Sequence, residues 1–231
     1  MLKASAVKRV LYDMGADLCG IAPIERFKDA PGGFHPADVL PSCKSVIAFA
    51  KKFPAGTLHC NTGVPYTIIR NNLSCEMDVM SIRFCDIMEQ NGIVAVPAGA
   101  ISHVQMDDET GRLRSIVSAK HSAAAAGLGR IGKNTLLVTP EYGNMVWLNT
   151  ILTNAALDSD EVQEGNPCDE NCSACIDTCP ARAFENPEMN QFACFEHAFN
   201  VNQVGEITIN CHRCRSLCPN CLGSKNNHLR A

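Results

Sequence analysis

Three things are scarce in this chain, and each scarcity removes a class of function. There is no basic excess: 20 Lys and Arg stand against 24 Asp and Glu, for a formal net charge of -4. Nothing in that balance supplies the electrostatic footprint of a nucleic-acid-binding surface. No apolar run approaches the about 18 residues of a membrane span, so no membrane partner is expected. The opening segment, MLKASAVKRVLYDMG, places Leu2, Val7, Val10 and Leu11 between Lys3, Lys8 and Arg9. That pattern is an amphipathic helix without the continuous apolar core of a secretory signal. The expected location is therefore the cytoplasm, where a disulfide framework is disfavoured.

What the chain has in abundance is cysteine, 14 in 231 residues, nine of them between Cys168 and Cys221. Two segments repeat one spacing, Cys172-x2-Cys175-x3-Cys179-Pro180 and Cys211-x2-Cys214-x3-Cys218-Pro219. A Cys-x2-Cys turn lets two thiolates converge on one inorganic core, and in two-cluster ferredoxins the cysteine before proline ligates the other cluster. The expected ligand sets are Cys168, Cys172, Cys175 and Cys218 for one [4Fe-4S] cluster, and Cys179, Cys194, Cys211 and Cys214 for a second. Two cubes need eight thiolates, so one cysteine is spare. Cys221 is left out because including it would break the crosswise symmetry. Cys168 is the irregular member, four residues before Cys172 where the ferredoxin run has three. Tetrahedral zinc also uses paired Cys-x2-Cys and stays open as an alternative, although it has no need of a third cysteine followed by proline, twice.

Ahead of the cysteines the chain reads as α/β. Gly15 closes the first helix, and Asp17 to Ala22 is a short buried strand. A Pro- and Gly-rich loop from Pro31 to Pro41 leads to the apolar run Ser45 to Ala50, a central strand. From Val64 to Gly92 apolar residues recur near helical period, with Cys75 and Cys85 read as small core residues, like Cys19 and Cys43. Cys60, in a polar stretch, is expected to be exposed. Ile93 to Pro97 is a strand, Gln105 to Arg114 a polar loop, and Ser118 to Ala126 an alanine-rich helix that allows a close approach. Thr135 to Thr139 and Tyr142 to Thr153 are further strands, and Asp158 to Asn166 an acidic linker.

Gly127-Leu-Gly-Arg-Ile-Gly132-Lys133-Asn134-Thr135 fits G-x-G-x-x-G and nearly fits a phosphate-binding loop. Both motifs require a strand before and a helix after, and here the order is reversed, so nucleotide is not expected. The glycines and Lys133 either line another ligand or form a connection without one.

The segments AAGLGRIGKNTLLVTPEYG, LPSCKSVIAFA, GADLCGIAP, CSACIDTCPARAF, ACFEHAF and CHRCRSLCPNC together resemble the epoxyqueuosine reductase family, and more distantly the reductive dehalogenases. The resemblance implies a nitroreductase-like α/β domain over residues 1–160 that holds a corrinoid (cobalamin) or substrate, and a small ferredoxin-like double-cluster domain over 161–231. It further implies that Gly129, Arg130, Gly132, Lys133, Asn134 and Thr135 lie against the corrinoid. An electron donor such as ferredoxin or flavodoxin and a small-molecule substrate are implied as partners. The family's aspartate in a D-[ST]-x-P turn is missing, since the matching stretch is Arg112 to Ile116, and Arg130 replaces the usual tryptophan. On those departures no catalytic residue is assigned, and tRNA is not expected as a partner. The two functions expected are an oxidoreductase passing single electrons from the clusters to a corrinoid or substrate, and a non-catalytic electron carrier or cluster-bearing partner of a redox complex.

Overall fold

The computed structural model describes residues 3–100, 104–107, 112–185, 189–201 and 203–229, with 104–107 and 112 as backbone only. In chain order the helices are α1 (Ala4–Asp13), α2 (Pro36–Val39), α3 (Val64–Gln90), α4 (Ala119–Ala125), α5 (Ala174–Asp177), α6 (Gln191–Ala198), α7 (Arg213–Ser216) and α8 (Gly223–Asn226). The strands are β1 (Leu18–Pro23), β2 (Ser45–Lys52), β3 (Ala95–Pro97), β4 (Val104–Asp107), β5 (Arg112–Ser115), β6 (Arg130–Ile131), β7 (Leu137–Val138), β8 (Val146–Thr153), β9 (Phe199–Val201) and β10 (Ile207–Ile209). The mixed α/β class read from the sequence is the one observed.

Compactness divides the chain into two units of three segments each. One comprises Met1–Lys52, Leu73–Gly129 and Trp147–Glu164, and the other Phe53–Asn72, Arg130–Val146 and Gly165–Ala231.

The first unit is built on a sheet of order β1-β2-β8-β3. β1 and β2 are antiparallel, with Leu18 opposite Ala50 and Pro23 opposite Ser45. Residues Ser45 to Ala50 are all buried, which is why β2 reads as an unbroken apolar run: both of its faces are covered. Ile47 and Phe49 face one way, into a core with Val7 and Leu11 of α1 and Met77, Met80, Phe84 and Met88 of α3. Truncating a fully buried ring such as Phe84 costs about 3–5 kcal/mol. On the opposite face α4 lies against β1 and β2. A Cβ on Gly20 would stand 2.1 Å from the carbonyl oxygen of Ala126. The close approach that the alanines permit is thus made onto β1 itself.

Several local readings need correction. The periodicity of α3 holds, but its core stripe is Leu73, Met77, Met80, Phe84 and Met88, while Ile68, Val79 and Ile82 are exposed. Cys75 falls on that outward side and is exposed, whereas Cys19, Cys43 and Cys85 are buried and Cys60 is exposed as expected. Gln105 to Arg114 is not simply a loop, because β4 pairs with β5 from Val104 opposite Ser115 to Asp107 opposite Arg112. Backbone pairing needs no buried face, so a polar ribbon gives no alternation to read. Residues 108–111, and Leu2 of the first helix, lie outside the described residues. Within the Pro31 to Pro41 loop, α2 is capped by His35, whose Nδ1 accepts from Ala37 N–H at 3.1 Å. The strand expected at Thr135 to Thr139 is only Leu137–Val138, paired with Arg130–Ile131.

The acidic stretch after β8 is anchored to the first unit. The Asp160 carboxylate accepts from Lys8 Nζ at 2.6 Å and from Ile21 N–H at 2.8 Å, and Arg26 donates to the Asp160 carbonyl at 2.7 Å.

Candidate metal centre

The second unit brings the cysteine segments together around short turns. The two repeats fold alike. In the first, Ile176 and Asp177 N–H groups donate to Ser173 O and Cys179 N–H to Ile176 O. In the second, Arg215 and Ser216 donate to His212 O and Cys218 to Arg215 O. One sequence pattern therefore gives one backbone pattern twice, and the two single-turn helices it forms, α5 and α7, lie against each other.

The thiols group across the repeats. Cys175 is pushed up by burial first and then by the neighbouring Cys168 and Cys172. Cys218 is raised by burial, with Cys168, Cys221 and Cys175 adding to it. Cys194 is raised by burial and by Cys179 and Cys211. Cys214 is pushed up to about 11 by burial, against the opposing pull of Arg215, with Cys194, Cys211 and Cys175 adding. Cys168, Cys172, Cys175 and Cys218 thus neighbour one another, as do Cys179, Cys194, Cys211 and Cys214, and Cys175 and Cys214 are near enough to link the two groups. Cys221 adjoins the first. Such thiols, protonated in a buried setting, become good ligands only when a cation offsets the cost of ionisation.

Backbone donors reach two of these sulfurs. Lys133 N–H donates to Cys168 Sγ at 3.4 Å, and Ala183 N–H donates to Cys179 Sγ at 3.4 Å. Around Cys221, packing is at the glycine limit: a Cβ on Gly143 would lie 2.1 Å from Asn220 O and 2.4 Å from Cys221 C. Gly223 meets the same chain from the other side, its Cβ position lying 2.4 Å from Gly143 N. Among the described residues no three His, Cys, Asp or Glu side chains are grouped so as to hold a single metal ion. Tetrahedral zinc would need sulfurs about 3.8 Å apart, from a Zn–S bond of about 2.3 Å, whereas a four-iron cube spreads its thiolates over a larger core.

The glycine-rich turn has a definite placement. Gly129 is a buried residue of the first unit, and Arg130 is exposed on β6. The Lys133 ammonium donates to the carbonyls of Asp169 (3.2 Å), Glu170 (2.7 Å) and Cys172 (2.9 Å). Buried Asn134 donates through Nδ2 to Cys214 O at 2.9 Å and accepts Leu136 N–H on Oδ1 at 3.1 Å. Thr135 Oγ1 lies 3.3 Å from Met189 Sδ. A Cβ on Gly132 would be 3.3 Å from Cys168 Sγ. Lys133 and Asn134, expected to reach toward a macrocycle, are turned onto the cysteine loops.

Arg215 went unnoticed in the sequence. It is 6 % exposed, its Nη1 donates to the Asn144 carbonyl, and its guanidinium lies over the Phe53 ring at 5.6 Å. The first repeat has Ile176 at the matching position, and that asymmetry was the available signal. His212, beside Cys211, stacks on Tyr66 with ring centroids 4.5 Å apart.

No family model matches the chain. Epoxyqueuosine reductase of Bacillus subtilis is 26% identical over 210 residues, 80% of this chain and 49% of that protein. The same enzyme of Lactococcus garvieae is 30% identical over 135 residues, 53% of this chain and 36% of the relative. The chain thus spans about half the length, or less, of these relatives. Among solved structures, an epoxyqueuosine reductase with a tRNA stem loop superposes with a TM-score of 0.63 at 21% identity, covering 98% of this chain and 67% of that one. That relative holds a tRNA stem loop, so the comparison gives no support to the expectation that tRNA is not a partner. A reductive dehalogenase, described in terms of B12-dependent dehalogenation, superposes with a TM-score of 0.66 at 17% identity over 94% of this chain and 31% of that one. Among the described residues no helix is long and apolar enough to cross a membrane. The chain is epoxyqueuosine reductase-like in sequence and in fold, and it shares that fold with the reductive dehalogenases.

Proposed function

We propose that the chain is an iron–sulfur oxidoreductase in which two [4Fe-4S] clusters, on Cys168, Cys172, Cys175 and Cys218 and on Cys179, Cys194, Cys211 and Cys214, pass single electrons to a corrinoid or substrate held by residues 1–160. The observation that carries the reading is the crosswise neighbourhood of the thiols, with Cys218 beside the first repeat and Cys179 beside the second-repeat cysteine Cys211 through Cys194. Two-cluster ferredoxins exchange their Cys-Pro ligands in that way. The residues fit clusters: eight thiols in two sets, with N–H donors on Cys168 and Cys179. A reduced corrinoid would supply low-valent cobalt for the chemical step. The likeness to a fold described in B12-dependent dehalogenation supports that acceptor. The donors of Lys133 and Asn134 do not, because the cysteine loops take them up. That commitment favours, as the second reading, an electron carrier without a corrinoid. A ferredoxin or flavodoxin is the class of donor that delivers electrons one at a time.

Anaerobic reconstitution should load about eight irons, the content of two [4Fe-4S] cubes. Cys179→Ala should then remove the cluster of Cys211 and Cys214 and leave the other. Loss of the nearer cluster in that variant would overturn the crossed assignment. Cobalamin titration, followed by the cobalt absorption bands, separates the enzyme from the carrier. An epoxyqueuosine-modified stem loop, the ligand of one solved relative, is the RNA to add beside small-molecule substrates.

A further inference from the structure

Four consecutive residues of the glycine-rich turn are each constrained by something on a cysteine loop or by their own backbone. A Cβ on Gly132 would stand 3.0 Å from Asn134 Oδ1 and 3.3 Å from Cys168 Sγ, tight contacts that require both to give by a few tenths of an ångström. Lys133 uses its backbone N–H on that sulfur and its ammonium on three carbonyls of the loop from Cys168 to Cys172. An ammonium has three donors, so the set is complete. Asn134 reaches the other way, to the carbonyl of Cys214, and its own oxygen is fixed by Leu136 N–H. Thr135 sits at φ 60, a region that a β-branched residue avoids unless its surroundings over-determine it.

We infer that this turn is a two-sided clamp, with Lys133 positioning and electrically tuning the cluster of Cys168, Cys172, Cys175 and Cys218, and Asn134 positioning that of Cys179, Cys194, Cys211 and Cys214. The inference rests on the two-cluster reading above.

The two arms differ in kind. The Lys133 loop carries Asp169 and Glu170, two negative charges next to a cluster ligand. Cluster potentials follow net charge and hydrogen bonds to sulfur. A cation bound to that loop therefore favours the reduced, more negative cluster. It also closes the irregular segment, where Cys168 stands four residues before Cys172. Asn134 is neutral and 3% exposed, so it acts by holding a carbonyl. It orients the Cys214 turn without adding charge.

The test is a redox titration of the whole reconstituted chain, monitored by electron paramagnetic resonance, with iron counted in each sample. Cys172→Ala and Cys211→Ala, each retaining one cluster, assign the two signals. Lys133→Gln should lower the midpoint potential of the first cluster, or cost its four irons, and leave the second signal where it was. Lys133→Arg should restore the potential, because charge survives. Asn134→Ala should disturb the second cluster alone, by altered line shape or by loss of its irons. Variants indifferent in potential and iron, or the same cluster answering to both residues, would overturn the clamp while leaving two clusters standing. Wild-type protein that takes up no iron would remove the two-cluster reading and the clamp with it.

Discussion

Replacing Gly143 by alanine should loosen one cluster and spare the other. The backbone there has φ +57, where an L-residue carries a penalty of about 1–2 kcal/mol. The added Cβ would meet three main-chain atoms, Asn220 O at 2.1 Å and Cys221 C and O at 2.4 and 2.5 Å. A carbon–oxygen contact relaxes to about 3.3 Å, so the two chains must part by about 1 Å. Overpacking of that kind costs about 1–3 kcal/mol. The total is about 2–5 kcal/mol, which for a chain of this length lowers the melting midpoint by about 4–20 °C. Gly165→Ala is the control: its φ is +81 with nothing within 4 Å of the added carbon, so it carries the conformational part alone. The assay is thermal unfolding of reconstituted protein by circular dichroism, with an iron count beside it. Because Cys218 lies in the displaced loop, the irons lost should be those of the cluster with Cys168, Cys172 and Cys175. Equal midpoints for the two alanine variants, or loss of the Cys211 and Cys214 cluster first, would refute the reasoning.

Cys168→Ser should remove one cluster and Cys221→Ser neither, read as about four irons against about eight; the reverse would make Cys221 the ligand and Cys168 the spare. Asp160→Ala should cost about 1–3 kcal/mol in chemical denaturation at pH 7, because it leaves Ile21 N–H in β1 without its acceptor. Burial works against the Lys8 ammonium, but the hydrogen bond and charge of Asp160 outweigh it and raise its pKa above the ordinary 10.5. A raised lysine stabilises in full below its unfolded value and loses that contribution as pH rises through the folded one. The stability gap between wild type and Lys8→Met should therefore be constant near neutrality and close above pH 10.5, and a gap that widens there would contradict the pairing.

Elements that bury a face announced themselves in the sequence, and those that do not stayed hidden. α3 was legible because Met77, Phe84 and Met88 follow the period of a helix, and β2 because burial on both faces leaves an unbroken apolar run from Val46 to Ala50. The β4–β5 ribbon was illegible because backbone pairing alone leaves no mark on side-chain type. The two cysteine repeats were legible from spacing, since each folds into the same single turn. The partners of Lys133 and Asn134 were not. Their targets lie 36 to 39 and 80 residues further on, and polar donors in a glycine-rich turn suit a ligand as well as a neighbouring loop. Gly143 gave no sign, because its requirement is set by Asn220 and Cys221, which no local pattern connects to it. Asp160 was read as linker from the acidity around it, although one carboxylate in that run ties β1 to α1.

The interleaving of the two units has a consequence for synthesis. A chain emerging from the ribosome folds its N-terminal parts first where it can. The first unit is complete once Glu164 has appeared, but Phe53–Asn72 and Arg130–Val146 belong with Gly165–Ala231. Those two earlier segments, one of them carrying the β6–β7 pair, complete their unit only once Gly165–Ala231 has been made. On the two-cluster reading all eight ligand cysteines lie in Gly165–Ala231, so they would become available to iron only after the first unit has been made.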